Sequence, residues 1–203
     1  MISLEQIRKT QQDRPVLNNI NISFSDNQHY VIVGESGSGK TTLLNIIAGY
    51  EQADKGLITV DKGSRIEYLF QDTLLFSNIS VRENMFIKWF GLCHDLDQND
   101  FEKNSKHALE LFSVGHFADS KVHSLSGGEK RRVELAQIFL SSPDILLLDE
   151  PTANLDAENK KKIIEIIHKN FQHTIVILVS HDDPKFFHDY VLLKLKEGKL
   201  YNG

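Results

Sequence analysis

A glycine-rich loop that ends in lysine and threonine is the clearest candidate for chemistry in the sequence. The stretch GESGSGKTT at residues 34–42 fits the spacing G-x-x-x-x-G-K-[ST] without a mismatch. Backbone N–H groups at Gly37 and Gly39 can wrap around phosphate oxygens, and Lys40 brings a positive charge to the β and γ phosphates. We expect nucleotide phosphate contacts from the whole loop, namely Gly34, Glu35, Ser36, Gly37, Ser38, Gly39, Lys40, Thr41 and Thr42. A dinucleotide-binding loop is excluded because Thr42 stands where its third glycine is required.

Two carboxylates follow an apolar run further along the chain. The stretch DILLLDEP places Asp149 and Glu150 at the end of a predicted buried strand. Asp149 would hold Mg²⁺ together with the Thr41 hydroxyl, while Glu150 would activate or orient the water that attacks the γ-phosphate. Alone, an acidic pair in this position is as often structural as functional. Beside a phosphate-binding loop, the functional interpretation is favoured.

A histidine and a glutamine complete this candidate set. VILVSHDD ends a third apolar run and delivers His181 to the same edge of the predicted sheet, where it would contact the γ-phosphate. Gln71, in YLFQDTLLF, stands at the exit into a helical region and would touch Mg²⁺ or water when that region moves in. Taken alone, a single histidine is usually structural, and a single glutamine is an ordinary loop residue. The candidate catalytic residues are therefore Lys40, Gln71, Glu150 and His181, and the candidate metal ligands are Thr41, Gln71 and Asp149.

A pair of glycines stands where a charged helix is predicted to begin. In SLSGGEKRRVELAQ, Ser126 is a good N-cap and Glu129 three residues later completes a capping box. Gly127 and Gly128 do not fit that explanation, because each glycine costs about 1 kcal/mol relative to alanine inside a helix. Exposed N–H groups at a helix N-terminus bind anions. The stretch therefore predicts a second anion-binding element.

The apolar runs predict the elements that must position these residues. HYVIV, DILLLD and TIVILVS are near-continuous Val/Ile/Leu runs separated by helical patterns, which is typical of a parallel sheet covered on both faces. Between the first two runs, SVRENMFIKWF begins with its own capping box, Ser80 and Glu83, and NDFEKNSKHALELF is amphipathic. We expect one domain in which an α/β core, residues 1–74 and 137–203, carries a helical subdomain at 75–136.

The composition excludes several classes of protein. A net charge of −5 over 203 residues argues against a general nucleic-acid binder. The lysine run within 158–169 has isoleucines along one side, so it predicts an amphipathic helix with a solvated basic face. No apolar run approaches the roughly 18 residues of a membrane helix, and the first residues lack the pattern of a secretory signal. The single cysteine, Cys93, cannot form an intrachain disulfide, which fits a reducing cytosol.

Together these motifs resemble the ATP-binding cassette (ABC) family of transporter ATPases over essentially the whole chain. The resemblance rests on GESGSGKTT, the glutamine in LFQD, the signature LSGGE, ILLLDEP with the following ANLD, and VSHDD, in the family's order and spacing. It implies an α/β P-loop NTPase core with a mainly parallel sheet, an N-terminal antiparallel β subdomain and an inserted helical subdomain. It also implies binding of ATP and Mg²⁺ and an active ATP hydrolase, since Glu150 and His181 are both present.

The resemblance further implies two protein partners. In the family, two cassettes face head to tail, so that Ser126, Gly127 and Gly128 would bind the γ-phosphate held by a second ATPase subunit. The single phosphate loop and single signature of this chain agree with a site shared by two chains, identical or different. An integral membrane permease on a separate chain is also implied, which would hold the protein at the cytoplasmic face of the cell membrane. No nucleic-acid partner is expected.

Several positions depart from the family pattern or fit it in two ways. Gln11 stands where an aromatic residue usually stacks on adenine, so we expect poor discrimination between ATP and GTP. Gln137 replaces a frequent arginine. Asp156, in ANLD, fits either the family's loop across the dimer seam or an N-cap for the following helix. Four aromatic residues lie where the family receives a permease helix, and we expect most of them to pack in the core: Phe76, Phe86, Trp89 and Phe90.

The residues found within the motifs favour one transport direction. DEPTANLD and LSGGE are closer to the cassettes of peptide, lipoprotein and macrolide exporters than to the SALD-type importer cassettes, which favours export of a peptide, bacteriocin, lipoprotein or drug. An importer ATPase is the alternative. A cassette that acts on nucleic acid or ribosomes is disfavoured because the sequence has no heptad array, no C-x-x-C and no second cassette. A small-molecule kinase would leave the signature and Glu150 unexplained.

Overall fold

Three strands near the N-terminus form an antiparallel sheet. The structure, a computed structural model, describes residues 1–92, 98–153 and 155–203. The strands are β1 (Ile2–Gln11), β2 (Arg14–Phe24) and β4 (Lys55–Val60), in the order β2-β1-β4. Ile2 and Leu4 are both buried because alternate residues of a strand face the same side of the sheet. A register shift at Gln6, whose φ is 52°, breaks this alternation and brings Ile7 into the core as well. The predicted N-terminal antiparallel sheet is confirmed.

A second sheet has six strands, and three of the sequence motifs follow its strands. Its strands are β3 (His29–Val33), β5 (Ile66–Leu69), β6 (Ile145–Asp149), β7 (Ile175–Ser180), β8 (Val191–Lys196) and β9 (Lys199–Asn202), in the order β5-β6-β7-β3-β8-β9. The pairs β6·β7, β7·β3 and β3·β8 are parallel, and β8·β9 is antiparallel. Every residue of β6 and β7 is buried, which explains their unbroken apolar sequences. The predicted mainly parallel sheet is confirmed.

Five α-helices occur in the described part of the chain. They are α1 (Lys40–Ile47), α2 (Val81–Leu92), α3 (Gln98–Leu111), α4 (Gly127–Ser141) and α5 (Ala157–Asn170). The predicted capping box before α2 is confirmed: Ser80 N donates to Glu83 Oε2 at 2.7 Å, and Glu83 N donates to Ser80 Oγ at 3.1 Å. Asp156 caps α5, because Asn159 N donates to its Oδ1 at 2.9 Å.

The chain divides into two compact units. The first comprises residues 1–68, 144–151 and 167–203, and the second comprises 69–143 and 152–166. The helical unit is therefore longer than the predicted insertion at 75–136 and includes most of α5. The hydrophobic core of the first unit is built from the antiparallel sheet, the central strands of the larger sheet and α1. Phe24 and Tyr30 meet edge to face within it, with ring centroids 4.9 Å apart.

Large apolar side chains are exposed in the second unit. Phe76, Phe86 and Phe90 are 58%, 43% and 59% exposed, respectively, and Leu74 and Ile87 beside them in the sequence are also exposed. The expectation that most of the aromatic residues here pack in the core is therefore wrong. The physical reason is that α2 buries only Val81, Asn84 and Met85, which leaves Phe86 and Phe90 exposed, while Phe76 precedes the helix.

No helix of the described ranges is long and apolar enough to cross a bilayer. Two features discussed from the sequence fall outside these ranges, namely Cys93 and the Asn154 of ANLD.

Candidate active site

Three of the sequence motifs leave the six-stranded sheet at one edge. In the parallel register, Val33 of β3 lies opposite Ser180 of β7, and Asp149 of β6 lies opposite Val179. The phosphate loop, the acidic pair and His181 therefore all begin at the carboxyl ends of neighbouring strands. This edge is where open α/β sheets bind their ligands.

The phosphate loop depends on three glycines for two different reasons. Gly37 and Gly39 have φ of 76° and 100°, in the left-handed region that favours glycine. Gly34 does not, but a Cβ built there would lie 2.4 Å from the Leu195 carbonyl oxygen and 2.9 Å from Ser38 Oγ. The helix α1 then begins with a hydrogen bond from Leu43 N to Gly39 O at 2.9 Å. The loop thus turns sharply and leads directly into a helix N-terminus, where N–H groups face outward.

The Lys40 side chain folds back along the loop. Its Nζ donates to Gly34 O at 2.9 Å and to Glu35 O at 3.0 Å, and it lies 3.3 Å from His181 Nε2. Burial lowers the pKa of Lys40, and the carboxylates of Glu150 and Asp149 partly offset this effect. The ammonium is thus poorly hydrated and held by neutral carbonyls, so it favours an anionic partner.

The acidic pair consists of two carboxylates in different environments. Asp149 is buried at the end of β6, with 2% of its surface exposed. Glu150 N donates to Val179 O at 3.1 Å, and its backbone φ of 52° is strained for a non-glycine residue by about 1–3 kcal/mol. Burial raises the pKa of Glu150, while His181 and Lys40 act in the opposite direction. A carboxylate with a raised pKa is suited to accept a proton.

His181 lies between the acid and the lysine. Its Nε2 is 3.2 Å from Glu150 Oε1 and 3.3 Å from Lys40 Nζ. A protonated Nε2 can donate to Glu150, whereas a bare Nε2 can accept from Lys40, so the ring cannot make both hydrogen bonds at once. The turn after β7 is fixed by a hydrogen bond from Asp182 N to Ser180 Oγ at 2.9 Å. The half-exposed ring is therefore mounted on a defined turn beside two charged groups.

The residues at this edge fit a phosphate group and a Mg²⁺ ion. Ser38 Oγ is buried in the loop and has no hydrogen-bond partner among the described residues. Thr41 is exposed in the first turn of α1, whereas Thr42 is buried. Buried polar atoms without partners are rare, so an anion in the loop would satisfy Ser38 Oγ. A carboxylate and a hydroxyl, supplied by Asp149 and Thr41, are oxygen ligands of the kind that Mg²⁺ prefers.

The signature segment belongs to the second unit. Ser126 N donates to Glu129 Oε2 at 2.7 Å and Glu129 N donates to Ser126 Oγ at 3.4 Å, so the predicted capping box is confirmed. The hydrogen bond from Ser126 N lowers the pKa of Glu129. Gly127 and Gly128 are the first two residues of α4, where N–H groups have no partner within a helix.

The sequence profile of the family described as ABC transporter matches residues 17–153. This chain belongs to the ABC transporter family. Because the match covers the phosphate loop, the signature and the acidic pair, the chain is an ABC-type ATP hydrolase. The expected nucleotide ligand is therefore confirmed at the level of the family.

Two named relatives illustrate the range of the ABC family. The macrolide export ATP-binding/permease protein MacB of Campylobacter jejuni is 30% identical over 98% of this chain, but the chain spans only 33% of that relative's length. The putative hemin import ATP-binding protein HrtA of Staphylococcus haemolyticus is 32% identical, with 98% of both chains covered. The relatives therefore include proteins named for export and for import.

Solved ABC structures show the same fold. The dimeric structure of MJ0796, a bacterial ABC transporter cassette, superimposes with a TM-score of 0.89 at 26% identity and covers 100% of this chain and 97% of that chain. A dimeric post-hydrolysis state of the same cassette, bound to ADP and Pi, gives a TM-score of 0.87 at 25% identity. The predicted P-loop NTPase fold is confirmed.

The structure brings together only part of the predicted ABC site. The phosphate loop, Asp149, Glu150 and His181 converge in the first unit. Gln71 is exposed in the second unit, as are Ser126 and Gly127. Their predicted roles toward nucleotide therefore remain predictions.

Two structural contributions were missed from the sequence. The carbonyl of Leu195, in β8, forbids a side chain at Gly34, and no sequence motif marks this contact. In the second unit, Arg131 and Glu134 of α4 are buried and contact the segment that carries Gln71. Their opposite charges three residues apart on a helix were a usable signal, but such pairs are usually exposed.

Proposed function

We propose that this ABC ATPase hydrolyses ATP at a site formed by two chains and uses the cycle of closing and opening to drive a membrane permease. The observation that carries the proposal is the convergence of Lys40, Glu150 and His181 at one sheet edge, with His181 Nε2 within 3.3 Å of both charged side chains. Hydrolysis needs a cation for phosphate, a base for water and a group that can change hydrogen-bond partner.

Each residue of this cluster has a distinct proposed role. Lys40 leaves its carbonyl partners to bind the β and γ phosphates, while the backbone of residues 34–39 surrounds them. Glu150 orients the attacking water and accepts its proton, which its raised pKa favours. His181 contacts the γ-phosphate and holds Glu150 in place.

Thr41, Asp149 and Gln71 are the proposed ligands of Mg²⁺. When bound, the ion would neutralise charge that develops on the phosphate oxygens. Asp149 is buried at the end of β6, and Thr41 is exposed in the first turn of α1. Gln71 is exposed in the second unit and is the third proposed ligand.

The second half of the site is proposed to come from another chain. Ser126, Gly127 and Gly128 would offer N–H and hydroxyl groups at the N-terminus of α4 to the γ-phosphate held by the partner. The dimeric state of the related MJ0796 cassette supports this arrangement. ATP bound at such a seam stabilises the closed dimer, and hydrolysis removes that stabilisation.

The dimer proposal is tested with Glu150→Gln, which retains the shape of the side chain and removes the base. Sedimentation of this variant with saturating ATP and Mg²⁺ should show a stable dimer, and removal of the nucleotide should return the monomer. The control is the double variant Lys40→Ala/Glu150→Gln, which lacks the phosphate contact and should stay monomeric. A Glu150→Gln chain that binds ATP yet remains monomeric would contradict the proposal.

The exposed apolar side chains of the second unit are the proposed permease contact. Leu74, Phe76, Phe86, Ile87 and Phe90 lie within one short segment of sequence, and exposed apolar patches mark interaction sites. Docking there would place the chain at the inner face of the cell membrane. Phe86→Ser/Phe90→Ser should abolish co-purification with the permease while leaving ATP hydrolysis by the chain itself intact. Retained co-purification would place the contact elsewhere.

Export is the proposed direction, and the partner cassette is proposed to be either a second copy or a similar chain. The residues of the DEPTANLD and LSGGE motifs and the similarity to MacB support export. Import is the second candidate, because relatives such as the zinc import ATP-binding protein ZnuC of Marinobacter nauticus are 34% identical over 90% of this chain. Transport of labelled substrate into inverted vesicles that contain the permease would indicate export, and uptake into right-side-out vesicles would indicate import.

A further inference from the structure

The helix α4 holds the segment that carries Gln71 through two charged side chains. Arg131 Nη1 donates to the carbonyl oxygen of Phe70, the residue before Gln71. Leu74 N, three residues after Gln71, donates to Glu134 Oε1 at 2.9 Å. Arg131 Nη1 also lies 3.5 Å from Glu134 Oε2. We call Arg131 and Glu134 the α4 clamp.

Burial makes the α4 clamp more than a surface ion pair. The side chains of Arg131 and Glu134 are only 7% and 9% exposed. A buried ion pair is weak as a source of stability, because desolvation offsets its Coulomb energy and an apolar pair of similar size often serves as well. Hydrogen bonds to charged groups, however, fix geometry strongly. The clamp is therefore suited to positioning the backbone on both sides of Gln71.

Hydrogen bonds of two uncharged side chains hold the other end of the Gln71 segment, at Phe76. Gln137, six residues after Arg131 in α4, donates from Nε2 to Asn84 O at 2.8 Å. Asn84 Oδ1 accepts from Phe76 N at 2.8 Å, and its Nδ2 donates to Phe76 O at 3.0 Å. Residues 70–76 are thus tied to α4 near both ends, while Gln71 itself stays exposed.

The same helix begins at the signature. Ser126 is its N-cap, and Arg131 follows five residues later, which is about 7.5 Å along a helix axis. A continuous helix moves as a rigid body, so a displacement at either end is transmitted to the other. Within this unit, the Gln71 segment and the signature are therefore mechanically joined through the clamp.

We propose that Arg131 and Glu134 are positioning residues that couple Gln71 to the signature of the same chain. This inference rests on the proposed function, in which Gln71 serves the chain's own nucleotide and Ser126 serves the partner's. Through the clamp, the position of the Gln71 segment and the position of Ser126 are set together within one chain.

The main test is the double variant Arg131→Met/Glu134→Leu in the full chain. It removes both buried charges together, so no unpaired charge is left to unfold the protein. We expect kcat for ATP hydrolysis to fall about tenfold or more while KM for ATP stays within about twofold, because the phosphate loop is untouched. Glu134→Gln keeps an acceptor for Leu74 N, and Arg131 keeps its bond to Phe70 O. The folded variant should therefore retain kcat within about threefold, although the loss of the paired charge lowers its stability.

The matched control is Arg82→Met/Glu102→Leu, which makes the same substitutions in an ion pair of the same unit. Arg82 Nη1 and Glu102 Oε2 are 2.6 Å apart in an exposed pair, and Arg82 also donates to Asp119 Oδ1 at 3.1 Å. Within the described residues, neither side chain hydrogen-bonds to residues 70–76. This control should change kcat by less than about twofold.

A merely structural role is separated by repeating the clamp variant in a Gln71→Ala background. If the clamp acts through Gln71, it should cause no further loss of kcat there. An equal fold-loss in both backgrounds, or wild-type kcat for the clamp variant, would overturn the inference. If Gln71→Ala and Glu150→Gln both leave turnover unchanged, the proposed function itself fails, and with it the route through Gln71.

Discussion

His181 Nε2 lies 3.2 Å from Glu150 Oε1, at the carboxyl edge of the parallel sheet. The same nitrogen is 3.3 Å from Lys40 Nζ, so the histidine has an acidic and a basic neighbour and can hydrogen-bond to only one of them at a time. The preferred partner depends on the proton at Nε2. Whether Nε2 carries a proton therefore decides whether His181 holds Glu150, the proposed base, or Lys40.

The first prediction concerns the pH dependence of hydrolysis. Burial raises the pKa of Glu150 above the ordinary value, so the base is lost at a higher pH than for a solvated glutamate as the pH falls. His181 opposes this rise. The variant His181→Ala should therefore move the acid limb of the kcat–pH profile to a higher pH. The exposed His173 is the control, because His173→Ala should leave the acid limb in place. An acid limb that shifts downward in His181→Ala would contradict the assignment of Glu150 as the base.

The second prediction concerns stability. A carboxyl whose folded pKa is raised binds its proton more tightly in the folded than in the unfolded state, so its contribution to stability is present at low pH and is lost as pH rises through the folded pKa. Glu150→Gln should therefore raise the thermal midpoint at about pH 8, and the gain should shrink toward about pH 4, where free carboxyls protonate. A gain that grows on acidification would contradict the raised pKa.

The third prediction concerns Gly34. In Gly34→Ala the added Cβ meets the Leu195 carbonyl oxygen at 2.4 Å, so β8 or the phosphate loop must move. We expect a loss of about 2 kcal/mol or more in urea unfolding, together with weaker ATP binding. Gly91→Ala is the control, because a Cβ there meets no atom within 4 Å among the described residues and should be neutral or slightly stabilising. Equal stabilities of the two variants would contradict a close approach between residue 34 and the Leu195 carbonyl oxygen.

The fourth prediction concerns the nucleotide base. Gln11 Nε2 donates to Glu51 Oε1 at 3.1 Å, so this position offers a polar pair where the family usually has an aromatic ring. ATP and GTP should bind within about threefold of each other in a competition titration. Gln11→Tyr should tighten both by about two- to tenfold, since ring stacking is worth about 0.5–1.5 kcal/mol. A wild-type preference for ATP above about tenfold would contradict this view of Gln11.

The fold was predictable wherever the sequence had a single strong period or motif. The unbroken apolar runs of β6 and β7 predicted buried parallel strands, and Ser126 with Glu129 predicted the start of α4. The shared sheet edge of the phosphate loop, the acidic pair and His181 was predictable because parallel strands share their carboxyl ends.

The rest depended on contacts between segments distant in sequence. The exposure of Phe86 could not be predicted, because α2 lacks a clear apolar face and its rings could have pointed either way. The Leu195 carbonyl near Gly34 is 161 residues away in sequence and is a backbone atom, which no residue type marks. Burial of Arg131 and Glu134 opposes their usual preference for the surface, so only the structure shows their bonds to Phe70 and Leu74.

The most direct test of the shared site is complementation between two inactive chains. Lys40→Ala removes the phosphate contact, and Ser126→Phe blocks the signature. A mixed dimer of the two has one site with both defects and one site that is intact. Equal amounts of the two variants should regain about a quarter of wild-type ATP turnover, because about half of random dimers are mixed and each keeps one of two sites. Mixtures that stay inactive, although mixed dimers form, would contradict the account.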